Sequence, residues 1–161
     1  KLPSPPKGRE VLCRRKPRIL RNQRRKSREA AFQTLFAMAF SGTDRAQIVT
    51  NMGAVQSEEI RGHDDFSDRL LTQLELHRER VEEILDESLT GWRAERLTAA
   101  DGALLRLGIV ELLAFQDVPP KAAINEYIEL AKQFGDAESA RFVNGVLDRV
   151  RRDLEQSGNQ S

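Results

Sequence analysis

The sequence predicts an all-α fold. Apolar residues recur at intervals of three and four in several separate segments, which is the spacing of one helix face. No segment of strand length alternates apolar and polar residues. The connections in the second half are short, which favours antiparallel helix neighbours. A length of 161 residues suits one domain with tails, or two small bundles.

Residues 1–20 hold four prolines and no apolar period, so they read as a disordered arm. From about Arg24 a first helix is expected, with Phe32, Leu35, Phe36, Ala39 and Phe40 on its apolar stripe and Ser41-Gly42 as its stop. A short, weak helix near Asp44 to Met52 and a polar loop over 53–63 follow. A long helix is expected from Asp64 to Leu89, with Phe66, Leu70, Leu74, Val81, Ile84 and Leu85 on one side. Its centre, HRERVEE, is charged and reads as solvated. Thr90-Gly91 breaks it, and Trp92 to Leu97 makes a short turn.

Thr98 is an N-cap, with Asp101 in the position of the capping-box acid. The following helix, to about Gln116, is apolar nearly all round, the mark of a central helix. Pro120 opens the next helix in the first turn, where proline is favoured. Ile124, Tyr127, Ile128, Ala131 and Phe134 form its stripe. Gly135 is a C-cap and Asp136 an N-cap for the last helix. That helix runs to about Leu154, with Val143, Val146, Leu147, Val150 and Leu154 facing inward.

Composition narrows the function. Hydrophobic residues make up 39% and charged residues 32%, which fits a soluble protein with a modest core. No apolar run approaches the roughly 20 residues that span a bilayer, and no apolar h-region follows the basic start, so no secretory signal is expected. Cys13 is the only cysteine; no intrachain disulfide can form, which suits a reducing cytoplasm.

The net charge of +1 conceals an asymmetry. Residues 1–28 carry 12 of the 26 Lys and Arg against one acid, Glu10, a net +11; the other 133 residues carry 14 basic and 24 acidic side chains, a net −10. A basic arm joined to an acidic body admits three readings: a solvated tail, an arm for nucleic-acid phosphates, or an arm that folds back onto the acidic body.

No catalytic pattern emerges. His63 and His77 lack paired ligand spacing, so no metal site is expected. There is no P-loop or glycine-rich dinucleotide turn, and the acids Glu82, Glu83, Asp86 and Glu87 read as a solvated helix face. Neither an enzyme nor a cofactor is implied. Two features of the body stand apart. Arg106 lies between Leu105 and Leu107 in an apolar helix and calls for an ion-pair partner on another helix. Phe142 lies roughly 100° off the centre of the last helix's apolar stripe, on the side of Glu138, Gly145 and Arg149. It reads either as the edge of the core or as an open platform that stacks an unpaired base. Gly145 costs about 1 kcal/mol against Ala in a helix, so something should approach closely there.

The stretch VPPKAAINEYIELAKQFGDAESARFVNGVLDRV, Val118 to Val150, resembles the C-terminal half of the NusB family. The likeness extends to WRAERL at Trp92 to Leu97, DGALLRLGIVELL at Asp101 to Leu113 and RRKSREAAFQTLF at Arg24 to Phe36. The resemblance implies two packed three-helix bundles, about seven helices in all. A basic arm would occupy 1–22, a helical domain 23–155 (divided as 23–90 and 91–155) and a polar tail 156–161. It also implies a non-enzymatic role in the bacterial cytoplasm. Family members pair with NusE, a ribosomal protein of the small subunit, bind boxA single-stranded RNA and join the RNA polymerase antitermination complex, notably on ribosomal RNA operons. They occur as monomers and as homodimers.

Carried over motif by motif, the resemblance puts Arg24, Arg25, Lys26 and Arg28 at RNA phosphates, with Gln33 as a further contact. It puts Phe142, with Glu138 and Arg141, at the RNA surface, and Phe36 and Asp101 at NusE. Phe36 stands where a tyrosine is common, and Pro120 and Tyr127 replace residues typical elsewhere. Two other readings stay open. One is the NusB-like domain of a ribosomal RNA methyltransferase, which calls for a catalytic domain beyond the tail EQSGNQS. The other is a self-associating helical module.

Overall fold

The computed structural model describes residues 17–42 and 64–159. The arm up to residue 16, the weak helix near 44–52 and the loop over 53–63 lie outside the described residues. All regular structure among the described residues is helical, as the period of three and four predicts.

Helix α1 (Pro17–Ser41) begins well before Arg24, so residues 17–20 are helical rather than part of a disordered arm. Proline is favoured in the first turn, and the Arg, Leu, Gln and Lys that follow are good helix formers even without an apolar stripe. The helix stops as expected at Gly42, whose φ of 61° is the left-handed conformation glycine adopts freely. Phe32 is buried and Leu35 and Phe36 are half-buried. Phe40, expected to anchor this helix, is 69% exposed and leans on Phe36, with ring centres 4.7 Å apart.

The long helix expected over 64–89 is two helices, α2 (Asp64–Leu76) and α3 (Arg78–Ser88). His77 separates them with φ −107° and ψ 18°. Backbone bonds from His77 N–H to Gln73 O (3.0 Å) and from Val81 N–H to His77 O (2.9 Å) carry the ladder through it. The junction is therefore a local kink, and Nδ1 of His77 lies 3.0 Å from the same Gln73 carbonyl. Gly91, at φ 93°, ends the segment, and a single 3₁₀ turn (Ala94–Arg96) leads into α4 (Ala99–Ala114).

Helix α4 is the centre of the molecule. Thr98 caps it by accepting from the Asp101 N–H at 3.1 Å. Leu104, Leu105, Leu107, Ile109 and Val110 are fully sealed, because α4 packs against α1, α2 and α3 as well as α5 (Pro120–Phe134) and α6 (Ser139–Gly158). The expected partner of Arg106 is Glu82 on α3, held by two hydrogen bonds of 2.5 and 3.1 Å.

Helices α4, α5 and α6 pack mutually. A Cβ on Gly108 would come within 2.7 Å of the Leu147 side chain, so α4 and α6 approach closely there. The α5–α6 turn keeps the expected Gly135 cap, but the N-cap position of α6 is Glu138 and not Asp136, which sits one turn earlier. Gly135 caps α5, and a Cβ there would fall 2.3 Å from Ser139. Asp136 Oδ1 accepts from the Glu138 N–H at 2.9 Å, and Ser139 Oγ accepts from the Asp136 N–H at 3.0 Å. This is a reciprocal capping arrangement one turn ahead of α6.

Candidate nucleic-acid interface

The basic lead of α1 faces acids from the opposite side of the chain. The guanidinium of Arg28 is only 3% exposed and grips Glu111 of α4 with two prongs, Nε to Oε2 at 2.9 Å and Nη2 to Oε1. The hydroxyl of Tyr127 on α5 donates to Glu111 Oε2 at 2.7 Å. Burial alone would lower the pKa of Arg28, but the hydrogen bond and charge of Glu111 outweigh it and hold the guanidinium above its ordinary value. Burial pushes the Tyr127 hydroxyl well above the usual tyrosine range, and the Glu111 charge adds to it. Arg28, expected to touch RNA phosphate, is thus a buried member of an Arg28–Glu111–Tyr127 network. A helix whose inward face meets an acid on the central helix draws its arginine inside.

Its neighbours stay near the surface. Arg25 pairs with Glu126 of α5 through Nε at 2.7 Å and Nη2 at 3.1 Å, and the Glu126 hydrogen bond followed by its charge raises the Arg25 pKa. Arg24 reaches Asp117 in the α4–α5 connection at 3.2 Å. Arg24 and Arg28 both lie over the Phe66 ring, at 5.0 and 5.1 Å from its centre. Lys26 is exposed, and Gln33 is half-buried on the next turns. For this part of the arm, folding back onto the acidic body is what the structure shows. Phe36 is half-buried, stacked between Phe32 and Phe40 at 5.6 and 4.7 Å.

The second predicted surface is built differently from the open platform. Phe142 is 1% exposed. Trp92, from the loop after α3, meets it edge-to-face with ring centres 4.8 Å apart. Arg96 lies 5.0 Å from the centre of the Phe142 ring. The close approach that Gly145 implied comes from Trp92: a Cβ on Gly145 would stand 3.2 Å from the indole Cζ2. Phe142 is therefore core, and Trp92 is the aromatic on the surface above it. Glu138 and Arg141 are exposed on the first turns of α6.

Asp101 is also inside. It is fully buried, its oxygens accept no hydrogen bond among the described residues, and Arg96 Nη2 stands 3.4 Å away. Its place in the first turn of α4 brings its carboxylate to Arg96, inside the protein and not on the surface expected for NusE. Arg96 also holds Asp136 by two bonds of 3.1 and 3.2 Å. The Glu138 N–H first, and Arg96 after it, keep the Asp136 carboxyl below the ordinary aspartate range. Trp92, Arg96 and Glu111 escaped the sequence reading as site residues. The one signal available for Trp92 was a mid-helix glycine with no turn to make.

Among the described residues no group of His, Cys, Asp or Glu could hold a metal ion, and no helix is long and apolar enough to cross a membrane. The arrangement offers a strip of surface cations on rigid helices and one exposed tryptophan, a composition suited to binding.

The model of the NusB family matches residues 25–152. The transcription antitermination protein NusB of Symbiobacterium thermophilum is 38% identical over 138 residues, covering 81% of this chain and 90% of that protein. Among solved structures, NusB of T. maritima superposes with a TM-score of 0.68 at 31% identity, over 80% of this chain and 90% of that one. A crystal structure of the antitermination factors NusB and NusE with double-stranded RNA shares the fold, with a TM-score of 0.68 at 22% identity over 82% of this chain and 98% of the matched one. The relatives are named as transcription antitermination proteins, and this chain belongs to the NusB family.

Proposed function

We propose that this protein is a cytoplasmic transcription antitermination factor. In this reading it pairs with NusE on boxA single-stranded RNA, joins the RNA polymerase antitermination complex and suppresses termination, notably on ribosomal RNA operons. The observation that carries the reading is the construction of α1. Arg28 is paired inward with Glu111, which also accepts from Tyr127, so Arg24, Arg25 and Lys26 sit near the surface on a helix pinned to the core. Cations fixed in position neutralise phosphates without a large ordering cost. The relatives named as antitermination proteins, and the NusB–NusE–RNA assembly solved on this fold, support the same role.

Within this proposal Arg24, Arg25 and Lys26 contact phosphates, with Gln33 beside them and Glu138 and Arg141 on a second surface. Phe36, half-buried beside the exposed Phe40, meets NusE. The test is reconstituted transcription through a terminator placed downstream of a boxA leader. Readthrough should rise when this protein and NusE are added together. Readthrough that is indifferent to the protein would reject the role.

A further inference from the structure

We propose that the exposed indole of Trp92 stacks an unpaired base of single-stranded RNA, with Arg141 and Arg149 taking the flanking phosphates. The proposal rests on the RNA-binding reading above and names the aromatic that serves it.

Trp92 is the only tryptophan in the chain and is 40% exposed despite its size. Its backbone is fixed. Gly91 turns the chain at φ 93°, the Trp92 N–H bonds Leu89 O at 2.9 Å, and Arg149 Nη1 donates to Thr90 O at 3.1 Å. Its ring is fixed as well, edge-to-face on Phe142 and seated over Gly145. A side chain held this way loses little freedom when a ligand covers its outer part.

The setting is cationic. Arg141, Gly145 and Arg149 follow one another at intervals of four on α6, so they share one face, and the indole rests over the gap between the two arginines. Arg141 is exposed and has no ion pair among the described residues. Among the described residues Arg149 is tied by the Thr90 carbonyl and by Asp153 at 3.9 Å. Glu138 and Asp153 bound this strip at its two ends, so it fits a single base and its neighbouring phosphates and not a long groove. A protein-docking face needs a contiguous apolar centre. The other exposed large apolar side chains among the described residues, Phe40 and Leu76, belong to α1 and α2. A lone aromatic among arginines matches the chemistry of base stacking.

The test uses the sole tryptophan as its own reporter. A fluorescein-labelled boxA-type oligonucleotide is titrated with the full chain, with and without NusE, while RNA anisotropy, indole emission and acrylamide quenching are followed. Bound RNA should shift the emission and protect Trp92 from acrylamide along the same binding curve. Trp92→Ala should weaken binding about tenfold, within the range of stacking losses, with the salt slope unchanged. Trp92→Phe should recover most of the affinity. Arg141→Gln and Arg149→Gln should each lower the slope by about one. If anisotropy reports binding while emission and quenching stay constant, Trp92 is not the stacking residue and the RNA reading stands without it. If emission responds to NusE alone, the surface docks protein and the proposal is overturned. If no RNA binds with or without NusE, the RNA reading itself fails and this proposal with it.

Discussion

The guanidinium of Arg28 and the carboxylate of Glu111 form a two-pronged ion pair sealed between α1 and α4, with side-chain exposures of 4% and 0%. This pair joins the most basic part of the chain to the central helix. It turns the first helix into a fixed mount for Arg24, Arg25 and Lys26. Removing one partner strands a buried charge, which costs about 3–5 kcal/mol. Glu111→Ala should therefore lower the unfolding free energy by that amount in urea denaturation. Replacing the pair together, as Arg28→Met with Glu111→Leu, should cost much less. A loss in the double variant equal to the sum of the losses from Arg28→Met and Glu111→Leu taken singly would show that the pair is not coupled.

Tyr127 is the only tyrosine, so its ionisation is visible on its own in ultraviolet absorbance. Its folded pKa is raised by burial and by Glu111. The stability it contributes is fully present below the unfolded tyrosine pKa of about 10 and is lost as pH rises from there through the higher folded value. Native protein should show no phenolate signal at pH 10–11 until it unfolds, and Tyr127→Phe should flatten the alkaline limb of the stability curve. A normal tyrosine titration in the folded protein would contradict the buried network.

Phe142→Ala should behave as a core truncation. With the ring packed by Trp92 and Arg96, the loss is about 3–5 kcal/mol of stability. Any effect on RNA should come through the displacement of Trp92. Thermal unfolding checks this, and an unchanged melting temperature would return Phe142 to the surface.

Arg24→Gln and Arg25→Gln should weaken binding to RNAs of any sequence and reduce the slope of log affinity against log salt by about one each. The Arg24–Asp117 pair is open to solvent on both sides, and surface pairs of this kind contribute only about 0–1 kcal/mol, so Arg24→Gln should barely change stability. Arg25→Gln leaves the largely buried Glu126 carboxylate without its guanidinium and should cost more than the Arg24 change. An undiminished salt slope would move the phosphate contacts elsewhere.

Much of the helical frame was legible because each stripe is a local pattern. The faces of α5 and α6, the start at Pro120, the cap at Thr98 and the Gly135 stop all follow from neighbours within a few residues. Pairings across the fold were not legible. The excess of acid in the body left fold-back of the basic arm as one of three readings, but Arg28 and Glu111 lie 83 residues apart, and no periodicity connects them. The same limit explains Phe142. An angle on α6 locates its ring at the edge of the stripe, while the indole that covers it comes from a loop some fifty residues upstream. Phe40 erred in the opposite sense, since it keeps the spacing of the apolar stripe and yet stands 69% exposed.

The most direct test of the central claim is a binding titration of the full chain against boxA-type single-stranded RNA, with and without NusE, at two salt concentrations. The account predicts that NusE tightens binding and sharpens the preference for boxA over a scrambled strand, and that affinity falls at the higher salt. Identical affinity and preference with and without NusE would contradict it.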